Sequence, residues 1–97
     1  MVKLSNAAAA DIDNILDHSV TQFGFEQTEI YYDALTRCFE LLGENPELGF
    51  TAEDIRSGYR RFPHESHVIY YTLDSRDIFI VRILHKSMDA FRNLPPE

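Results

Sequence analysis

The chain has 97 residues, 44% of them apolar, a single cysteine and a formal net charge of −7. That length implies one domain, 1–97, with a modest core, and seven Phe with five Tyr argue against disorder. No apolar run reaches bilayer length. The N-terminus has no secretory apolar core, and a lone Cys38 cannot form an internal disulfide, so a reducing cytoplasm is the expected setting.

The charge is uneven. Residues 1–48 carry nine acids against Lys3 and Arg37, whereas residues 49–97 balance seven acids with seven basic groups. An acidic chain is unsuited to unaided binding of nucleic acid, whose affinity comes from neutralising phosphates, so no direct nucleic-acid contact is expected. Contacts to an acidic partner would have to use the arginines of the second half.

In chain order, Lys3-Leu4-Ser5 reads as a short first strand and Ser5 or Asn6 as a helix N-cap. Ala7 to Ala10 favour helix, with Asp11 and Asp13 near the positive end of its dipole. Ile12, Ile15, Leu16, Val20 and Phe23 lie at helical spacing on one face, and Gly24 stops the helix. A second helix from Glu26-Gln27 has Tyr31, Ala34, Leu35, Cys38 and Leu41 or Leu42 as its apolar face, ending at Gly43, Asn45 and Pro46. A link of two or three residues around Gly24 makes these an antiparallel hairpin.

Residues 45–57 read as an ordered surface loop with one helical turn at Ala52 to Arg56. Strand chemistry then takes over: Tyr59 to Phe62, Ser66 to Leu73 and Ile78 to Leu84, with a turn at Asp74-Ser75-Arg76-Asp77. The last strand is apolar almost without alternation, so it is expected in the centre, covered on both faces, with Arg82 reaching solvent or a partner. Lys86 to Leu94 can add one turn before Pro95-Pro96. The expected class is α+β: an N-terminal antiparallel helical hairpin on a small three- to four-stranded, mainly antiparallel sheet.

Candidate chemistry is sparse. His64 and His67 are three apart, which puts them on opposite faces of a strand, and a metal needs three or four convergent ligands; no metal or cofactor is expected. His85 with Arg61 and Arg82 could clamp a phosphate and move a proton, as RNA cleavage requires; a structural His85 at a strand end is the simpler reading. Arg60 and Arg61 are neighbours that point to opposite sides of a strand, as solvated residues or as contacts for a protein partner. No nucleophile setting and no glycine-rich phosphate loop exists.

Six short stretches in order carry a resemblance. Leu4-Ser5-x-x-Ala8 with Asp11-Ile12 and Ile15 opens it, followed by Phe23-Gly24-x-x-Gln27 with Tyr31 and Leu35. Asn45-Pro46 with Gly49 and Ile55-Arg56-x-Gly58-Tyr59-Arg60 follow. Ser66-His67-x-Ile69-x-Tyr71 and Arg82-Ile83-Leu84-His85-x-x-Met88-Asp89 complete it. Thr28 departs from the alanine expected there. This wording resembles the ParE branch of the ParE/RelE toxin superfamily across nearly the whole chain.

The resemblance implies the toxin half of a type II toxin–antitoxin pair, acting on DNA gyrase without being an enzyme. It implies neutralisation by a ParD-like antitoxin whose flexible segment folds on the toxin by groove binding and strand addition. Phe23, Tyr31, Tyr32 and Phe62 are then candidate antitoxin contacts. Arg60, Arg61, Arg82, His85, Met88 and Arg92 are candidate target contacts, and no catalytic residue is assigned. The alternatives are a ribosome-dependent mRNA endonuclease of the RelE type, which the acidic charge disfavours, and a non-toxic binding module of the same fold. Because this chain is acidic, apolar burial is expected to carry more of the antitoxin affinity than charge attraction.

Overall fold

The computed structural model describes residues 2–75 and 77–95. Arg76 of the Asp74–Asp77 turn and Pro96 of the tail lie outside the described residues. The elements are β1 (Val2–Leu4), α1 (Asn6–Glu44), β2 (Phe50–Thr51), β3 (Tyr59–His64), β4 (His67–Asp74), β5 (Asp77–His85) and α2 (Ala90–Asn93).

Ser5 joins three of these elements. Its backbone N–H donates to Ile80 O, its hydroxyl donates to Val81 O at 2.7 Å, and the same oxygen accepts from Ala8 N at 2.9 Å. One residue thus ends β1, ties it to β5 and caps α1. Helix α1 runs to Glu44 with one non-helical residue, Gly24, at φ 86° and ψ 173°. A straight helix of that length would measure roughly 58 Å at about 1.5 Å per residue, yet the longest dimension of the molecule is 38 Å. Ala8 and Ile12 from one arm share a core with Leu35 and Leu42 from the other. The two arms therefore fold back at a single glycine instead of the expected two- or three-residue link. Thr28 Oγ1 fastens the bend by donating to Ser19 Oγ or to Gly24 O, both at 2.8 Å.

The sheet has five strands in the order β1-β5-β4-β3-β2, mixed and not just antiparallel, because β1 pairs parallel with β5 through Val2↔Ile78 to Leu4↔Ile80. This corrects the expected three or four strands. The extra strand, β2, is two residues long inside the 45–57 loop and pairs Phe50 with Arg61; two residues show no alternation to read. Strand β3 runs on through Pro63. The missing N–H is tolerated there because β2 covers β3 only at Arg60 and Arg61. The expected turn at 52–56 is present, with Ile55 N and Arg56 N both donating to Ala52 O.

Strand β5 is buried on both faces, as its apolar run implied, and a bulge explains how. Tyr70 pairs with Arg82 and Tyr71 with Ile80, so Val81 is an extra residue that switches the parity of β5. Ile78, Ile80 and Ile83 therefore all join Ile69 and Tyr71 under the hairpin. On the outer face Leu84 and Tyr70 pack with Ala90 and Leu94 of the tail, and with Ile55 and Tyr59. Cys38 is buried in the hairpin core and its thiol pKa is raised by burial, which makes it an inert packing residue. Among the described residues no helix is long and apolar enough to cross a membrane.

Candidate functional site

Arg82 finds its counter-charge within the chain. Its Nε and Nη2 each donate to a carboxylate oxygen of Asp11 at 2.8 Å, and Nη1 donates to Asn93 O at 2.8 Å. The Asp11 carboxylate also accepts from Ile83 N at 2.9 Å, capping the β5 edge where β1 has ended. Both side chains are largely buried, 22% and 11% exposed. The bidentate pair raises the Arg82 pKa, so its charge is permanent. Asp11 sits beyond the first turn of α1, so its work is in this fork and not at the helix dipole.

The other target candidates divide into two groups. Arg60 donates through Nη2 to Gly49 O at 2.7 Å and Glu47 O at 3.0 Å, which pins the 45–49 loop to β3. Arg61 lies across from Tyr70, and Tyr70 across from Arg82, so the three share the outer face; Arg61 also meets Asp54 at 3.7 Å. His85, Met88 and Arg92 are exposed at the opposite end of β5 and in the tail. Met88 N donates to His85 O at 2.9 Å, His85 Nδ1 accepts from Ser87 N at 3.2 Å, and Arg92 pairs loosely with Asp89 at 3.5 Å.

His85 points to the helix face, one row with His67 and His64. His64 pairs directly with His67 across a two-residue turn, and His67 pairs with His85. The expectation that His64 and His67 face opposite ways is thus corrected: they flank a hairpin turn, with Glu65 at φ 54°, and cross-strand partners share a face. The His67 and His85 rings meet edge to face at 5.6 Å, and Tyr31 covers His64 at 5.7 Å. Tyr31 Oη lies 3.0 Å from His67 Nδ1. Burial, then Glu65 and Cys38, push the Tyr31 pKa up to about 12, so the phenol keeps its proton. Burial first, then the His85 and His64 charges, lower the His67 pKa, with Glu65 and Asp11 opposing. The phenol can donate to Nδ1 in the His67 tautomer that carries its own proton on Nε2. Among the described residues no three His, Cys, Asp or Glu groups converge as metal ligands.

This row ends in an open groove of about 590 Å³ between the hairpin bend and the sheet, lined by Ile15, Phe23, Tyr31, Glu65 and His85 among others. Of the antitoxin candidates, Phe23 and Tyr31 line the groove, Tyr32 is 43% exposed on α1, and Phe62 is half-buried against the hairpin core. The groove holds acid–base groups, but among the described residues its lining contains no arginine or lysine. Arg61 and Arg82 are on the other face of the sheet, so His85 and the two arginines are not assembled into a phosphate clamp.

Sequence reasoning missed Arg56 and Phe91. The Arg56 guanidinium lies 4.6 Å from the centre of the Phe91 ring and donates to Phe91 O and Pro95 O, at 3.0 and 3.3 Å. The I-R-x-G wording held the signal for Arg56; Phe91 had none.

Comparison with known proteins agrees with this architecture. The family model for the ParE toxin of the type II toxin–antitoxin system parDE matches residues 2–90. The chain is 39% identical over 92 residues to toxin ParE1 of Caulobacter vibrioides, spanning 95% of both chains. It is 36% identical over 92 residues to toxin ParE1 of Mycobacterium tuberculosis, spanning 94% of both. A solved chain from the chromosomal ParDE toxin–antitoxin system of P. aeruginosa superposes with a TM-score of 0.75 at 26% identity, covering 87% of this chain and 92% of that one. The chain belongs to the ParE toxin family of type II toxin–antitoxin systems.

Proposed function

We propose that this toxin blocks DNA gyrase by binding it, without catalysis, in the cytoplasm, and that a ParD-like antitoxin neutralises it. The observation that carries the non-enzymatic part is the division of the sheet. RNA cleavage needs a cation at the phosphate and an acid or base beside it. Here the histidines occupy the helix face, whereas Arg61 and Arg82 occupy the outer face, Arg82 held by the Asp11 carboxylate and Arg61 3.7 Å from Asp54. The exposed tail, with Met88, Phe91 and Arg92, offers a protein target an apolar centre with an arginine beside it.

The test is brief expression of the chain without its antitoxin, following thymidine and methionine incorporation side by side. Early loss of thymidine incorporation with translation intact is expected, together with inhibition of purified gyrase in a supercoiling assay. Early loss of methionine incorporation would overturn the proposal in favour of a ribosome-dependent nuclease. Rescue of growth by co-expression of the protein encoded beside the toxin tests the antitoxin part.

A further inference from the structure

The bend of α1 is made by Gly24 alone, where the two helices of a hairpin ordinarily use a link of about two to five residues. The arms it joins, 6–23 and 25–44, are nearly equal, roughly 27 and 30 Å at about 1.5 Å per residue. The tip of the bend is bare. Thr21 to Gln27 are all exposed, Phe23 by 67% and Phe25 by 80%, and a side chain at Gly24 would meet no atom within 4 Å. A break in a helix leaves the N–H groups after it and the carbonyls before it without their partners four residues away. Gly24 is the one residue of α1 with non-helical angles, so turning it to helical angles would restore those bonds and give one unbroken helix.

We propose that the chain has a second folded state, a dimer in which Gly24 is helical and residues 2–23 are exchanged between two copies. Every contact that opening the bend would break runs between residues 2–23 and the rest of the chain, so a second copy can remake it. Ser5 would hold the partner's Ile80 and Val81, and Asp11 the partner's Arg82, as they do within one chain here. Because the arms match in length, two straightened helices lie antiparallel with each first arm spanning the other's second arm. Thr28 Oγ1 keeps Gly24 O, four residues back in its own helix, and regains a Ser19 Oγ from the partner. Where the helices cross, Phe23 and Phe25 of both copies come together, which covers the aromatic surface that a single chain leaves in water. Each groove is then built from two chains, with Ile15, His18 and Phe23 from one and Tyr31, His67 and His85 from the other. The exchange needs β1 to leave β5 and the Asp11–Arg82 fork to open, so it takes place as chains fold side by side and not by collision of finished monomers.

Refolding from urea at concentrations up to about 1 mM, followed by size exclusion with light scattering, tests for the dimer. A dimer is expected whose share rises with concentration during refolding. Once formed it should survive dilution for hours, because its chains part only by unfolding. Ser19 Oγ and Thr28 Oγ1 lie 2.8 Å apart, so Ser19→Cys with Thr28→Cys, in a Cys38→Ala background, places two thiols within reach of a disulfide. Oxidised after refolding, the dimer peak is expected to run as a covalent dimer on a non-reducing gel and the monomer peak as a monomer. Gly24→Ala removes the glycine on which the bend depends and favours helix at both hinges, so the association constant is expected to rise at least about tenfold. Two glycines inserted after Gly24 are expected to lower it, since a longer link relaxes the hairpin. An unaltered chain that stays monomeric at every refolding concentration overturns the proposal. So does a dimer that dissociates within seconds of dilution or whose disulfides all lie within single chains, which is a side-by-side pair. A share that neither Gly24→Ala nor the insertion moves overturns Gly24 as the hinge.

Discussion

Replacing Asp11 by alanine tests the fork that joins the hairpin to the sheet. The substitution removes two charge-assisted hydrogen bonds to Arg82 and one to Ile83 N, at 2.8, 2.8 and 2.9 Å. Breaking a buried pair from one side costs about 3–5 kcal/mol because the surviving charge stays desolvated, and an orphaned buried N–H adds about 1–3 kcal/mol. Arg82 is 22% exposed and keeps its bond to Asn93 O, so part of its charge can turn to water. The expected net loss is about 3 kcal/mol, a large share of the roughly 5–15 kcal/mol that holds a domain together. For a chain of this size that lowers the melting temperature by roughly 12–24 °C. Urea unfolding followed by circular dichroism measures it. The double change Asp11→Leu with Arg82→Met replaces the pair by apolar groups and is expected to cost at least about 2 kcal/mol less than the two single changes added together. Additive costs, or an Asp11→Ala penalty under about 1 kcal/mol, would refute the reasoning.

Acid should loosen the contact of α1 with the end of the sheet. The lowered His67 pKa means that the folded state binds its proton less readily than the unfolded chain does, so this contribution to stability is complete above about pH 6.5 and fades as pH falls through the folded value. His67→Gln should flatten the change in urea midpoint between about pH 7.5 and 5.5; a slope like that of the unaltered chain would show that His67 is not its source. Tyr71→Phe removes the acceptor for Gly49 N and the donor to Pro46 O, and should cost about 1–3 kcal/mol in the same assay. Gly49→Ala should cost a similar amount, because its Cβ would lie 2.5 Å from Tyr71 Oη and 2.8 Å from Arg61 O; an unchanged midpoint for either would mean that the loop is held elsewhere. Gly24→Ala meets no atom but forces a side chain into a backbone region that glycine alone adopts readily, so about 1–3 kcal/mol is expected from strain alone. Met88→Ser with Arg92→Glu should abolish gyrase inhibition while leaving antitoxin affinity and the melting temperature unchanged; loss of antitoxin binding along with inhibition would show that the two surfaces overlap.

Much of the fold was legible because the responsible signals are local. The apolar spacing on α1, the Gly24 break and the unbroken apolar run of β5 each report one element's own surroundings. The parallel pairing of β1 was not legible, since three residues show no pattern and each one's partner is 76 positions away. The parity switch at Val81 was hidden for a related reason: a bulge is a relation between strands, and β5 alone reads as uniformly apolar. The site suffered most. Arg82 looked like a charge in need of an outside partner because its counter-charge lies 71 residues earlier. His64 and His67 were misplaced because spacing was counted along one strand, when Glu65-Ser66 is the turn of a hairpin and brings both to one face.

The tail shows why recognising the fold and choosing a partner involve different residues. Ser5, Ala8, Asp11, Gly49, Arg56, Arg60 and Arg82 belong to the wording that marks the family, and every one is spent on holding the chain together: a cap, a buried alanine, a salt-bridge fork, a close approach and two loop clamps. In the tail the same division occurs within a few residues. Ala90 and Leu94 are buried on the outer face of the sheet, and the carbonyls of Phe91 and Asn93 receive Arg56 and Arg82. Met88, Phe91 and Arg92 project from that clamped turn into solvent. Deleting the tail would therefore remove core and surface at once, and a loss of toxicity on truncation would say nothing about target contact. Only substitutions at the projecting positions separate the two, and the clamp beneath them is what gives those side chains a fixed geometry to present.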